Sequence, residues 1–258
     1  MQTAHGLVRS ADGTQIAFDR SGSGPALVMV DPALGCSGFD NIRGLGALLA
    51  KEFTVYTYDR RGRGRSGDTQ PYAVAREVED LDAVIAHAGG SAVVYGFSSG
   101  GLLALHAAAS GLAIEKLALL EPPVRGEGEP PDTAFRDEIA ALVSAGRRAE
   151  AVERFLTSIG VPAEVLQRMA PVRPALEAVA HTLVYDCEIS NATSFELLRS
   201  MRTPTLVLDS QGSSDDLTGG TAAIAEALPN GTRSSLPGGW HGVPEEDLAP
   251  VLSEFFLG

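Results

Sequence analysis

Five short apolar runs punctuate the chain: Ala26–Asp31 (ALVMVD), Phe53–Asp59 (FTVYTYD), Ala92–Phe97 (AVVYGF), Lys116–Glu121 (KLALLE) and Thr205–Asp209 (TLVLD). Runs that are brief and apolar throughout mark strands covered on both faces. Thr14–Arg20 (TQIAFDR) instead alternates polar and apolar residues, the pattern of a half-exposed strand. Helical spacing fills the intervals at Phe39–Lys51, Tyr72–Ala88 and Ser99–Ala109. Further on, Thr232–Leu236 is strand-like and Glu245–Phe256 helix-like. Buried strands alternating with helices predict βαβ units, a mostly parallel sheet and right-handed crossovers.

The alternation stops after Glu121. Pro122-Pro123, GEGE and Pro130-Pro131 make a stiff polar connector. From about Asp132 to Ser200 no strand-like run occurs, and Pro162, Pro171 and Pro174 divide the stretch into short helices. A strand returns only after Pro204. At 258 residues the chain exceeds one average domain of about 150 residues and falls short of two. The pattern accounts for the excess: residues 1–121 and 201–258 form one α/β core, and residues 122–200 are expected as a helical cap inserted between two of its strands.

Composition narrows the function classes. Hydrophobic residues at 44% and charged residues at 21% permit a sizeable core and exclude wholesale disorder. The net charge of −13 argues against nucleic acid and anionic membranes as partners. Two cysteines, Cys36 and Cys187, make neither a disulfide framework nor a four-ligand zinc site, and no cluster has metal-ligand spacing, so no metal is expected. The arginine-rich YDRRGRGRSGD (Tyr58–Asp68) lacks a Walker pattern, so structural ion pairing rather than a phosphate cofactor is expected there. MQTAHGLVRSADG has no basic n-region or apolar h-region, and no apolar run approaches the ~18 residues of a membrane span. The expectation is a soluble, cytoplasmic protein without cofactors.

The sharpest chemical signal is VYGFSSGG, which contains Gly96-Phe97-Ser98-Ser99-Gly100, a G-x-S-x-G match. Its letters alone are weak evidence. Its context is strong, because a buried-type strand ends at Phe97 and a small-residue helix (GGLLALHAAA) follows at once. A nucleophile elbow requires that strand–turn–helix arrangement, with the helix N-terminus offering N–H groups to an oxyanion.

With this motif, the YDRRGRGRSGD segment, the inserted helices and a histidine in PGGWHGVP before the last helix, the chain resembles the α/β-hydrolase superfamily over nearly its whole length. The closest likeness is to small actinobacterial-type hydrolases and stand-alone thioesterases of polyketide pathways. The resemblance implies an α/β-hydrolase fold with the cap between strands six and seven, Ser98 as nucleophile and His241 as general base. Of the other histidines, His5 falls in a tail expected to be solvated, His87 ends a helix, His106 is expected to pack, and His181 belongs to the cap, where it is a candidate for a pocket wall.

The acid departs from the family pattern. Its usual position, a few residues past the seventh strand, falls by register on Ser213, which brings no charge to stabilise an imidazolium. Glu121, at the end of the sixth strand, is the favoured replacement, as in the members that carry their acid there; strand ends at that edge of the sheet face the shared crevice. Asp215, Asp216 and Asp209 remain alternatives. The oxyanion donors implied are the N–H groups of Ser99 and Ala33, the latter by register because Pro32 has none, with Leu34 as the nearby substitute. Asp31 stands where many relatives have His; beside an oxyanion its carboxylate must be turned away or paired, with Arg60 or Arg61 as candidate partners. Cys36 is expected as a small buried filler. Apolar cap residues, among them Phe135, Leu142, Phe155, Leu156, Leu166, Met169 and Leu183, are expected to pack together and in part to line a pocket over Ser98.

The implied activity is hydrolysis of an ester or thioester of a hydrophobic, metabolite-sized and possibly carrier-bound acyl group, with no partner other than that small molecule. The alternatives are a non-hydrolytic enzyme on the same scaffold (cyclase, lyase or perhydrolase) and a non-catalytic binding module.

Overall fold

The computed structural model describes residues 3–39 and 42–258. An eight-stranded sheet runs in the order β1-β2-β4-β3-β5-β6-β7-β8. Its strands are β1 (Ala4–Arg9), β2 (Gln15–Gly22), β3 (Ala26–Val30), β4 (Thr54–Tyr58), β5 (Ala92–Phe97), β6 (Ile114–Leu120), β7 (Thr205–Ser210) and β8 (Gly231–Leu236). β1 and β2 pair antiparallel, and every pairing from β4 to β8 is parallel. The α/β-hydrolase fold class follows from this sheet and the helices flanking it.

The apolar runs become strands because both faces are covered. On one side, α2 (Val74–Ala88) and α3 (Ser99–Ala109) pack on Val28, Val94 and Leu119. On the other, α1 (Arg43–Leu49) and α11 (Glu245–Leu257) pack on Leu27, Val93 and Leu208. Residues in such strands alternate between two apolar layers, so no polar face appears in the sequence. The helix expected at Phe39–Lys51 is shorter, and its Asp40 and Asn41 lie outside the described residues.

Two elements correct the expectations. The N-terminal stretch is not a solvated tail but the edge strand β1, with His5 opposite Asp19 and its Nδ1 2.6 Å from Asp19 Oδ1. A helix, α10 (Asp215–Ala227), follows β7 where none was expected. Gly219 and Gly220 lower its propensity, but Thr221 and Ile224 are buried against the core and carry it.

Between β6 and β7 come α4 (Thr133–Ser144), α5 (Arg148–Ser158), α6 (Ala163–Met169), α7 (Arg173–Ala178), α8 (Leu183–Ala192) and α9 (Phe195–Ser200). The prolines act at helix starts: Pro162 is the N-cap of α6, and Pro174 lies in the first turn of α7. This segment has its own apolar cluster, including Ile139, Val152, Leu176 and Leu183, which Leu34 and Cys36 join from the sheet edge. Its far end is continuous with the main core, through Ile189 and Leu198. Among the described residues, no helix is long and apolar enough to cross a membrane.

Candidate active site

Ser98 sits between β5 and α3 with φ 53° and ψ −125°. Its N–H donates to the Leu120 carbonyl at 2.9 Å, tying the turn to β6. The turn is tight enough to forbid side chains beside it. A Cβ on Gly96 would stand 2.6 Å from Gly101 Cα, and one on Gly100 would stand 2.4 Å from the Val30 carbonyl oxygen. Those contacts are the physical reason for glycine on either side of the serine.

Glu121 follows β6 directly and is fully buried. Its Oε2 lies 2.7 Å from His241 Nδ1, and its Oε1 accepts from the Ser210 N–H at 2.7 Å. Burial works to raise the Glu121 pKa. Hydrogen bonds from His241, the Ser213 hydroxyl and the Ser210 N–H outweigh it and hold the carboxyl below its ordinary range. An ionised carboxylate only accepts, so Nδ1 carries the imidazole proton and Nε2 is left with its lone pair. Ser213, at the register position usual for the acid, has a different task. Its hydroxyl oxygen accepts the His241 N–H at 2.9 Å, holding the histidine backbone in place.

The competing acids point elsewhere. Asp215 and Asp216 are exposed in the first turn of α10. Asp209 is buried but accepts from Arg233 Nε at 2.8 Å and Ser235 Oγ at 2.6 Å. Glu121 is the carboxylate that the fold brings to His241.

Ser98, Ser99, Ala33 and His241 all line one cavity of about 440 Å³. Phe97, Phe135, Phe155, Leu156, Met169 and Trp240 give it a mainly apolar wall. Leu142, Leu166 and Leu183, expected with that group, pack in the apolar cluster behind it. Among the described residues, the non-glycine positions with positive φ are Leu34 (63°), Ser98 (53°), Glu121 (44°) and His241 (50°). Backbone strain is therefore concentrated where the chemistry-bearing side chains converge, the usual place for it to be tolerated.

Residues 15–253 match the model of the alpha/beta hydrolase family. This chain belongs to that family. The hydrolase is similar to an alpha/beta hydrolase from Sphaerobacter thermophilus, with 45% identity and a TM-score of 0.90 over 97% of this chain and 100% of that one. It shares its fold with an esterase from Rhodococcus sp., at 24% identity and a TM-score of 0.71 over 97% and 96% of the two chains. A curated relative, "Probable oxidoreductase EphD" of Mycobacterium tuberculosis, is 39% identical over 88 residues, covering 31% of this chain and only 14% of the relative. Membership and architecture together are those of the alpha/beta hydrolases.

Of the other expectations, those for Asp31 and His181 need correction. Asp31 is not paired through its carboxylate with Arg60 or Arg61; the nearer cation is Arg43, with Nη1 3.5 Å from Oδ2. Asp31 Oδ1 accepts no hydrogen bond among the described residues, and burial pushes this carboxyl up to about 7 despite Arg43. A carboxyl shifted in this direction carries less charge beside the Ala33 loop than an ordinary aspartate would. His181 does not line the cavity; it packs beside Tyr185 with Nε2 3.9 Å from Asp68. His106 is half-buried with Nε2 3.0 Å from Thr193 Oγ1. His87 is exposed and leans on Phe18, with ring centroids 4.7 Å apart. Cys36 is a buried filler, whereas Cys187 reaches the cavity wall.

The arginine loop ion-pairs, through far more buried contacts than its sequence suggests. Arg60, Arg61 and Arg63 are essentially unexposed. Sequence reasoning named none of their carboxylate partners, least of all Asp186, which lies in the first turn of α8 with nothing in its neighbours to single it out.

Proposed function

We propose that this hydrolase cleaves an ester or thioester of a hydrophobic, metabolite-sized acyl substrate through an acyl-enzyme intermediate. The observation that carries the reading is His241 held at Nδ1 by a buried, ionised Glu121 on the rim of the apolar cavity that contains Ser98. Ser98 Oγ attacks the acyl carbonyl while His241 Nε2 takes the hydroxyl proton. The tetrahedral oxyanion rests on the Ser99 and Ala33 N–H groups. Glu121 keeps the imidazole in the reactive tautomer and stabilises the imidazolium. His241 then returns the proton to the leaving alcohol or thiol as the acyl–oxygen or acyl–sulfur bond breaks. Water, activated by the same histidine, releases the acid and restores Ser98.

Residues 122–200 serve as the cap in this reading, since their side chains supply much of the apolar wall. The substrate is a small molecule, free or carrier-bound, met in the cytoplasm. A series of p-nitrophenyl esters of increasing acyl length tests the substrate class, with the matching acyl thioesters alongside. Each buried methylene is worth about 0.8 kcal/mol, so kcat/KM should rise by up to about fourfold per carbon until the chain outgrows the cavity. A profile that is flat or that falls from acetate onward would remove the hydrophobic acyl assignment. Inertness toward every ester and thioester, with Ser98 still reactive, would favour the cyclase or lyase alternative.

A further inference from the structure

We propose that Arg63 and Asp186 are positioning residues for the oxyanion site, Arg63 acting through the Pro32–Ala33 peptide and Asp186 through Ser99. The proposal rests on the acyl-transfer reading of Ser98 and goes beyond it, because neither side chain belongs to the triad or donates to the oxyanion.

The geometry starts from one peptide unit. Pro32 C=O and Ala33 N–H belong to the same planar group, and the Pro32–Ala33 bond is trans, the one cis bond among the described residues being Gln70–Pro71. In a trans peptide the two dipoles point in opposite directions. Arg63 Nη1 donates to Pro32 O at 2.6 Å and the Gly35 N–H adds a second bond at 3.1 Å. Anchoring the oxygen fixes where the N–H points. Among the described residues, no acceptor holds the Ala33 N–H, and Ala33 lines the cavity. A cationic donor on the carbonyl also polarises the peptide and strengthens its N–H as a donor.

The same guanidinium continues to the other donor. Arg63 Nη2 donates to Asp186 Oδ2 at 2.7 Å, and Asp186 Oδ1 accepts the Ser99 hydroxyl at 2.8 Å. Ser99 is the first residue of α3, so its backbone N–H has no partner within the helix. Fixing the Ser99 side chain holds that N–H in register with Ser98. One buried ion pair therefore spans both donors.

A carboxylate this close to a developing oxyanion would ordinarily be harmful. Here Asp186 is neutralised: Arg60 Nη1 donates to Oδ1 at 2.8 Å beside the Arg63 contact. Arg60 in turn is held in a fork by Glu77, at 2.7 and 2.8 Å. Two cations and two carboxylates cancel, and the remaining dipoles are oriented. Burial works against the Asp186 charge, and Arg63 and Arg60 more than offset it, keeping the group ionised. Arg63 Nε completes its fork on Thr182 Oγ1 at 3.1 Å. Three contacts in one plane suit a guanidinium and not an ammonium.

Arg61 provides an internal control. It is as buried as Arg63 and sits in the same loop, but its partners are Asp80, Asp12 and the Arg76 carbonyl, none of which touches the oxyanion loop. The test uses the full chain and four variants: Arg63→Lys, Asp186→Asn, Ser99→Ala and Arg61→Lys. For each, Tm, kcat and KM on a p-nitrophenyl ester, and affinity for an alkylboronic acid are measured. The boronic acid forms a tetrahedral adduct on Ser98 and reports on the oxyanion site. Loss of one oxyanion donor costs about 100- to 1,000-fold in kcat, so misplacing donors should cost about 10- to 100-fold in Arg63→Lys and Asp186→Asn. KM should stay within about twofold and boronate affinity should fall with kcat. Ser99→Ala, which deletes a single hydroxyl and keeps the backbone N–H, should lose severalfold in kcat at nearly unchanged Tm. Arg61→Lys should lower Tm and leave kcat unchanged. The inference is overturned if Arg63→Lys and Ser99→Ala keep wild-type kcat, if their losses lie in KM alone, or if Arg61→Lys loses as much kcat as Arg63→Lys. Should Asp186→Asn fail to fold, Arg63→Lys and Ser99→Ala decide the matter. A wild-type chain that neither reacts with a fluorophosphonate nor hydrolyses any ester overturns the acyl-transfer reading and this inference together. A wild type that reacts, with insensitive variants, overturns this inference only.

Discussion

Alanine at Ser98 reduces kcat by about 10⁴- to 10⁶-fold on any ester the wild type turns over, while Tm does not fall. Among the described residues, Ser98 is held in the turn by its backbone: its N–H donates to the Leu120 carbonyl, and its own carbonyl accepts from the Gly101 and Leu102 N–H groups. What disappears is the nucleophile, leaving only the acceleration supplied by binding and oxyanion donors. A fluorophosphonate probe separates loss of chemistry from loss of fold. It loses fluoride to form a phosphonyl ester on wild-type Ser98, and leaves the folded Ser98→Ala chain unlabelled. Labelling that persists in the variant would place the nucleophile elsewhere and end the present assignment.

Glu121→Gln carries the second-largest effect, a kcat loss on the order of 10³- to 10⁴-fold. An amide at this position presents either an oxygen or an NH₂ to His241 Nδ1 and brings no charge for the imidazolium. Asp215→Ala and Asp209→Ala should leave kcat near wild type, because neither residue contacts His241. A large loss in Asp215→Ala with Glu121→Gln unaffected would reverse the assignment. The pH dependence has a definite sign. The folded Glu121 pKa lies below its unfolded value, so its contribution to stability is fully present above the unfolded pKa. That contribution drains away only as pH falls through the depressed folded value. Glu121 should therefore stay ionised, and His241 stay held at Nδ1, until pH falls below the ordinary carboxylate range.

The sheet was legible because its central strands are apolar on both faces, a pattern that few other structures share. β1 was not, since Ala4–Arg9 has exposed and half-buried positions and no apolar face; it exists by pairing with β2. α10 was hidden by its two glycines and is supported by packing at Thr221 and Ile224. Ser98 and His241 carry local signals, a tight small-residue turn and a glycine-rich loop before a helix. The acid carries none. Along the chain only its strand-end position favours Glu121 over Asp215, and the close approach of the β6 end to the His241 loop decides between them. Asp186 was less legible still. Its burial depends on three arginine-loop and elbow contacts from segments some 87 to 126 residues away in sequence.

The left-handed backbone at Leu34, Ser98, Glu121 and His241 has a consequence for how this chain can change. Each strained non-glycine residue costs about 1–3 kcal/mol, whereas glycine in the same conformation is penalised only through its unfolded-state entropy, about 0.5–1 kcal/mol. Ser98→Gly should therefore melt higher than wild type while being inactive, and a lower Tm would contradict that expectation. Mutation toward greater thermal stability has an easy route here that runs directly through loss of the enzyme. A library selected for folding alone would drift toward inactive chains at Ser98, and only a screen for turnover would keep the serine.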